Sequence, residues 1–320
     1  MTTSGTYSYN ANRDQIIRMA LRKIGAFEAG ETPDNQAVQY GAQKHNMMVK
    51  SIEATGLHIW TETEATVFLQ PGQISYTLGT GSTDHATESY VATTLSADAA
   101  LSATTINVES ATGFGDGYQV GLLLSTGYLF WTTQVGAASG TTITIADALT
   151  EELATGTVVY AYATNIVRPL RVVSARRYDF VSGLITPLIL YSRIDYRNLP
   201  NPNDSGIPNV VFYDPRGGAN TQGILWIWPT ATNPGQGIKM TWWRPVQDFN
   251  SAANTPDLPQ EWLDCLVWNL AYKMAPEYDC PSNRYAMIKE QAAAALDLTM
   301  GFDREPESYL FGYNTDQTGP

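Results

Sequence analysis

Apolar residues recur at helical spacing only near the two ends of this chain; between those ends they recur at strand spacing. Ile17, Ala20, Leu21, Ile24 and Phe27 make one helical stripe, predicting a helix from Arg13 to about Ala26. Val38, Ala42, His45, Val49 and Ile52 follow at alternating steps of four and three and make a second. Near the other end, Trp262, Leu263, Leu266, Val267, Leu270 and Met274 form a broad apolar face, and an Ala-rich run from Ala292 to Ala295 continues a last helix. Two helices at either end cannot bury such faces alone. The pattern therefore predicts an α+β fold: a discontinuous helical bundle made of residues 1–60 and 255–302, with the rest of the chain inserted into it.

Local signals set the expected ends of these helices. Asn12 and Gln15 have the spacing of a capping box, and Gly25 weakens the end of the first helix. Thr32-Pro33 opens the second and Gly56 closes it. Pro276 stops the third, Ser282 can cap the fourth, and Gly301 suits the position just past its end.

The insertion reads as antiparallel β. Thr66–Leu69 and Ile74–Leu78 flank Gln70-Pro71-Gly72-Gln73, the pattern of a hairpin. Strands are expected again at 170–173, 187–191, 210–213, 224–228 and 238–243, with turns at 198–206 and 214–218. Residues 61–83 and 165–254 would form one β domain, and 84–164 a second, smaller module. Within that module Thr104–Val108 and Thr141–Ile145 are nearly superimposable, 37 residues apart, and each is followed by a Gly and an apolar strand. A weak duplication building a small barrel or sandwich is expected. Residues 303–320 read as an extended, polar C-terminal segment punctuated by Tyr309, Phe311 and Tyr313.

Charge separates the module further. The chain carries 19 basic and 31 acidic residues, a net charge of −12, and no Lys or Arg lies between Lys50 and Arg168. Eleven acids fall in that interval, while the rest of the chain is nearly neutral. Such a balance argues against gripping nucleic-acid phosphates, which takes many cations. Two cysteines make no disulfide framework, no run reaches eighteen apolar residues, and Met1–Asn12 lacks the apolar core of a secretory signal, so a cytoplasmic site of synthesis is expected.

Catalytic patterns are weak. His45, His58 and His85 have no metal-ligand spacing, and His45 falls on a helical stripe, where a packed residue is expected. Cys265 and Cys280 read as packing residues. The Gly79-Thr80-Gly81 loop lacks the lysine of a phosphate-binding loop. Glu261, Asp264, Glu277, Asp279, Asp303, Glu305 and Glu307 could in principle supply a carboxylate pair, but first-turn and solvated positions explain them. No catalytic, cofactor or metal residue is therefore assigned. Trp226 and Trp228 share one strand face, with Trp242 and Trp243 on another strand; aromatic ladders bind sugars but more often pack a β layer. Arg168, Arg171, Arg176 and Arg177 form a basic strip that could face a neighbouring subunit or DNA.

Leu258-Pro259-Gln260-Glu261-Trp262-Leu263, Asn269-Leu270-Ala271 and Ala275-Pro276-Glu277-Tyr278, in that order, resemble the head-to-tail adaptor family of tailed bacteriophages, the tail accessory or head-completion proteins of short-tailed phages. Arg18–Gly25, Arg168–Val172 with Ala175-Arg176-Arg177, and Asp303–Ser308 agree with it. The resemblance implies a non-enzymatic virion protein at the head–tail junction, made in the bacterial host. It implies a homo-oligomeric ring, typically a dodecamer, that binds the portal protein and the tail nozzle or tube. That ring extends the channel for double-stranded DNA, without sequence-specific binding or membrane contact, and helps retain packaged DNA until ejection. On this reading Trp262, Leu266 and Leu270 face both a core and a neighbouring subunit, and Tyr309, Phe311 and Tyr313 anchor on the portal or a neighbour. The competing class is a tail-associated carbohydrate-binding protein or glycan hydrolase using the Trp-bearing strands.

Overall fold

The computed structural model describes residues 5–6, 8–27, 31–54, 61–216, 222–233 and 235–303. The chain opens with α1 (Arg13–Ile24) and α2 (Asn35–Glu53). Strands follow: β1 (Glu62–Phe68), β2 (Ser75–Gly79), β3 (Ala86–Thr87), β4 (Val91–Thr94), β5 (Thr105–Asn107), β6 (Gln119–Leu123), β7 (Leu129–Thr133), β8 (Thr142–Thr144) and β9 (Val158–Tyr162). Then come β10 (Arg171–Asp179), β11 (Ile185–Pro187), β12 (Ile189–Leu190), a short α3 (Arg193–Arg197), β13 (Ser205–Gly206), β14 (Val210–Asp214), β15 (Gln222–Trp228), β16 (Thr230–Ala231) and β17 (Gln236–Trp243). The chain closes with α4 (Leu263–Met274) and α5 (Ser282–Phe302). It divides into two compact units, Met1–Thr61 with Val246–Pro320, and Glu62–Pro245.

In the helical unit α4 is the hub. Its buried residues (Leu263, Cys265, Leu266, Val267, Leu270, Ala271 and Met274) make a broad face, with Asp264 and Lys273 exposed away from it, and it contacts α1, α2 and α5. The capping box of α1 is formed: Gln15 N–H donates to Asn12 Oδ1 at 2.9 Å and Asn12 N–H to Gln15 Oε1 at 3.0 Å. Gly25 ends α1 with φ +83°, and a Cβ there would sit 1.6 Å from Nη1 of Arg284, the guanidinium that caps the Ile24 carbonyl at 3.1 Å. Three expected signals do not operate. Pro33 precedes Asp34, the N-cap of α2, instead of sitting in its first turn. Ser282 is the first helical residue of α5 rather than its cap, and Gly301 lies inside α5, which ends at Asp303. Gly56 lies outside the described residues.

The returning chain is held by one polar face of α2. Asn46 accepts from Phe249 N–H at 3.0 Å and donates to Phe249 O at 3.1 Å, as a neighbouring strand would. Lys50 Nζ donates to Val246 O at 2.6 Å, and Glu53 accepts from Val246 N–H at 2.9 Å. Residues 46, 50 and 53 fall on one face by helical periodicity.

In the other unit a five-stranded sheet, β11-β10-β17-β1-β3, and a four-stranded sheet, β12-β14-β15-β2, enclose a common core of Val67, Tyr76, Leu78, Val211, Leu225, Ile227, Met240 and Trp242. The expected hairpin of Thr66–Leu69 with Ile74–Leu78 is corrected: β1 pairs with β17 and β3, β2 pairs with β15, and the connection arches between sheets. Gly72 (φ +74°) turns the arch and donates to Ala231 O at 2.9 Å.

The near-repeat is a structural one. β5 pairs with β8, setting Ile106 opposite Ile143, and β6 pairs with β9 in the sheet β4-β9-β6-β7. Backbone bonds recur in pairs: Leu95 N–H to Thr157 O with Gln134 N–H to Tyr118 O, and Val108 N–H to Thr141 O with Ile145 N–H to Thr104 O. The two halves are thus related by an approximate two-fold axis through a shared core of Ile106, Val108, Val120, Ile143, Ile145 and Val159. These strands make two layers and no closed barrel. Phe68 joins the duplicated layer to the main sheets, with Tyr90, Trp131, Tyr160 and Phe180 at centroid distances of 5.1 to 5.5 Å. Gln70 seals the junction, donating to Leu129 O and accepting from Leu129 N–H.

Candidate interaction surfaces

The basic strip is split by the pleat of β10. A bulge between Val172 and Ser174 puts Arg171 and Arg176 on the outer face, while Arg177 shares the side of Val172 and Ala175. Each is engaged within the chain. Arg171 stacks over the Trp243 ring at 5.2 Å, Arg176 is paired with Glu64, and Arg177 donates to Pro208 O and Thr186 Oγ1. Arg168 is half-buried before β10. The outer face therefore carries alternating charges, with Lys239 over Tyr178 at 3.9 Å and Trp243 Nε1 donating to Glu62 at 2.9 Å. It is not a continuous cationic track.

Trp262, Leu266 and Leu270 are fully buried within the helical unit. Of the core and the neighbour expected beside them, the core takes all three, because the broad apolar face of α4 packs on α1, α2 and α5. Exposed apolar residues lie instead on α5, at Met287, Leu298 and Phe302. Tyr309, Phe311 and Tyr313 lie outside the described residues.

The chemical candidates resolve into structural roles. His45 is buried against Phe249, with ring centroids 4.5 Å apart. His85 stacks on Trp131 at 3.9 Å, with Nδ1 2.6 Å from the Tyr162 hydroxyl. Burial pushes the Cys265 thiol up to about 11, away from thiolate chemistry. Glu277 is paired with Lys44 at 2.8 Å. No cluster of three or more His, Cys, Asp or Glu suited to a metal occurs among the described residues. His58 lies outside them. Trp242 is core, whereas Trp226 and Trp228 stand half-buried on the opposite side of β15 from Leu225 and Ile227.

That outer side of β15 forms a cleft the sequence did not announce. Arg193, Arg197 and Tyr196 of α3, Leu199, Pro202, Phe212, Asp214, Arg216 and Trp226 line a volume of about 400 Å³. Asp214 is buried and accepts from Arg193 Nη2 at 2.5 Å and Arg216 Nε at 3.1 Å. Its residues come from three separated segments, 193–202, 212–216 and Trp226, whose meeting no local signal marks.

A family model described as SU10 adaptor protein matches residues 131–310, more than half of the chain. The chain belongs to the SU10 adaptor protein family. A search of curated proteins finds no match. The adaptor match starts at Trp131 in β7 and runs through β10–β17, α4 and α5, so it spans parts of both units. It includes the motifs at 258–278, 168–177 and 303–308; the Arg18–Gly25 motif precedes it. Membership makes the chain a phage adaptor and a virion component. No described helix is long and apolar enough to cross a membrane.

Proposed function

We propose that this adaptor is a non-enzymatic head-to-tail connector, forming a ring below the portal that extends the DNA channel, seats the tail nozzle and helps retain packaged DNA. The observation that carries the reading is the family match across strands and terminal helices alike. A ring uses two different patches on each subunit. The exposed Met287, Leu298 and Phe302 of α5 supply one candidate patch. A net charge of −12, with the arginines of β10 occupied by Glu64, Trp243 and backbone acceptors, suits a surface past which DNA slides without adhering.

The alternative glycan-binding reading is less well supported. At Trp226 the neighbouring carboxylate, Asp214, is tied into two ion pairs with arginine rather than free for acid–base work. Electron microscopy and native mass measurement of the purified chain, with and without portal particles, test the proposal. The expected results are a closed ring, near twelve subunits, that seats on portals, and only weak double-stranded DNA binding at physiological salt. A persistent monomer that ignores portals, or tight and salt-sensitive DNA binding, would refute it.

A further inference from the structure

We propose that the cleft between α3 and the β14–β15 face binds an acidic, aromatic peptide segment, and that its occupant is residues 304–320 of a second copy of this chain. The cleft is a prepared cationic site. Buried Asp214 grips one edge of Arg193 and one edge of Arg216, whose side chains are still 51% and 58% exposed, so each guanidinium keeps further N–H donors for a ligand. Arg197, one helical turn from Arg193, is exposed and has no ion-pair partner among the described residues. Three guanidiniums against one carboxylate leave a surplus of positive charge in a chain whose net charge is −12.

The walls specify more than an anion. Phe212 and Trp226 are cross-strand partners, and Tyr196 packs on both at 5.7 and 6.0 Å. Arg193 lies over the Phe212 ring at 5.8 Å. Leu199 and Pro202 complete an apolar rim. Such a cleft suits carboxylates followed closely by aromatic rings. A phosphate-rich strand would bring its charge towards Asp214 and leave the apolar walls unused.

This chain carries a segment of that chemistry. Residues 304–320 contain Glu305, Glu307 and Asp316 with Tyr309, Phe311 and Tyr313. Glu305, Glu307, Tyr309, Phe311 and Tyr313 alternate with other residues, so in an extended peptide two carboxylates and three rings fall on one side. The arginines would take the carboxylates, and the Trp226 wall the rings. The second-copy source rests on the ring assembly proposed above; the peptide chemistry does not.

The test uses the full chain carrying Tyr309→Ala and Phe311→Ala, whose own C-terminal segment cannot compete. A fluorescent peptide of residues 304–320 is titrated by anisotropy. Saturable binding is expected, weakened at least about tenfold by Arg193→Glu with Arg216→Glu, and about threefold or more by Arg197→Glu. Arg197→Glu disturbs no ion pair and keeps the test valid should the double variant fail to fold. A peptide with Glu307→Gln and Tyr309→Ala should bind at least about tenfold more weakly. No saturable binding, equal binding to Arg197→Glu, or displacement by a DNA duplex but not by unlabelled peptide would overturn the proposal. Next, the pocket-reversed chain with an intact C-terminal segment is mixed with the Tyr309→Ala, Phe311→Ala chain. A mixed oligomer by native mass is expected, and its absence despite peptide binding would overturn the second-copy source. Peptide binding by a chain that never forms rings would count against the connector reading alone.

Discussion

Ile106 and Ile143 face each other across β5 and β8, each from the equivalent position of one copy of the internal repeat, and both are fully buried. Truncating either to Ala empties the same layer. Ile106→Ala and Ile143→Ala should each cost about 2–4 kcal/mol, by closely similar amounts. The double variant should depart from additivity by about 0.5 kcal/mol or more, because the residues touch. Chemical denaturation of the three variants checks this; a large effect at one position and none at the other would deny the two-fold relationship.

Asn46 supplies both a donor and an acceptor to the backbone of Phe249. Asn46→Ala should destabilise the helical unit by about 1–3 kcal/mol, since it leaves two backbone groups in search of partners. Asn46→Asp keeps the acceptor for Phe249 N–H but turns a carboxylate towards Phe249 O, so it should rescue little. Urea midpoints, followed by helical circular dichroism, are the measurement.

Acid should weaken both units. Burial lowers His45 from 6.5 to about 4, with Arg13 adding to the effect, and burial lowers His85 to about 4. The unfolded chain binds protons between those values that the folded chain refuses. The contribution is present in full above pH 6.5 and is lost as pH falls towards 4. For His45 the shift corresponds to roughly 3 kcal/mol. Melting temperatures should drop across that window, and His45→Leu should flatten the part of the profile due to the helical unit. An unchanged slope in that variant would show that other groups govern the acid limb.

Gly25 is needed twice, for its left-handed backbone and for the space occupied by Arg284. Gly25→Ala should cost about 1–3 kcal/mol and displace Arg284 from the α1 terminus. Arg284→Ala should cost less, because Gly25 can still turn the chain. Thermal melts of the two variants give the ranking.

Removal of the chain after Asp303 should leave the melting temperature of the monomer nearly unchanged while weakening assembly. Asp303 itself is buried and closes α5, so the cut belongs after it. Light scattering of the truncated chain, beside its melt, separates the two effects.

What the sequence displayed depended on how local the cause was. The capping box of Asn12 and Gln15 is complete within four residues, and it forms as read. The duplicated Thr-Thr-Ile strands were visible because both copies keep a buried isoleucine between polar neighbours that are exposed or half-buried. The arch at Gln70–Gln73 was misread because Pro and Gly mark a reversal without naming its partners, and β1 finds β17 some 170 residues later. Ser282 and Gly301 carry helix-end residue types, but α5 takes Ser282 as its first residue and runs past Gly301 to Phe302. Trp262, Leu266 and Leu270 looked like an interface because a sequence cannot tell a neighbour of the same chain from one of another. The arginine cleft needed the fold, since Arg193, Asp214 and Trp226 meet only through α3, β14 and β15.

The face of α2 that holds Val246 and Phe249 has a consequence in time. As the chain is synthesised, α1 and α2 emerge long before the residues that complete their core. Residues 62–245 lie between, and at ~5–20 residues per second they take roughly 10–40 s to make. Throughout that interval the stripe of Ile17, Leu21, Val49 and Ile52 has no α4 to cover it. The β unit can finish folding first, and Asn46, Lys50 and Glu53 then wait with their polar groups set out for a segment still on the ribosome. Helices made early are thus buried late, and the nascent chain carries an uncovered apolar stripe that a chaperone or a sister chain can reach before α4 does.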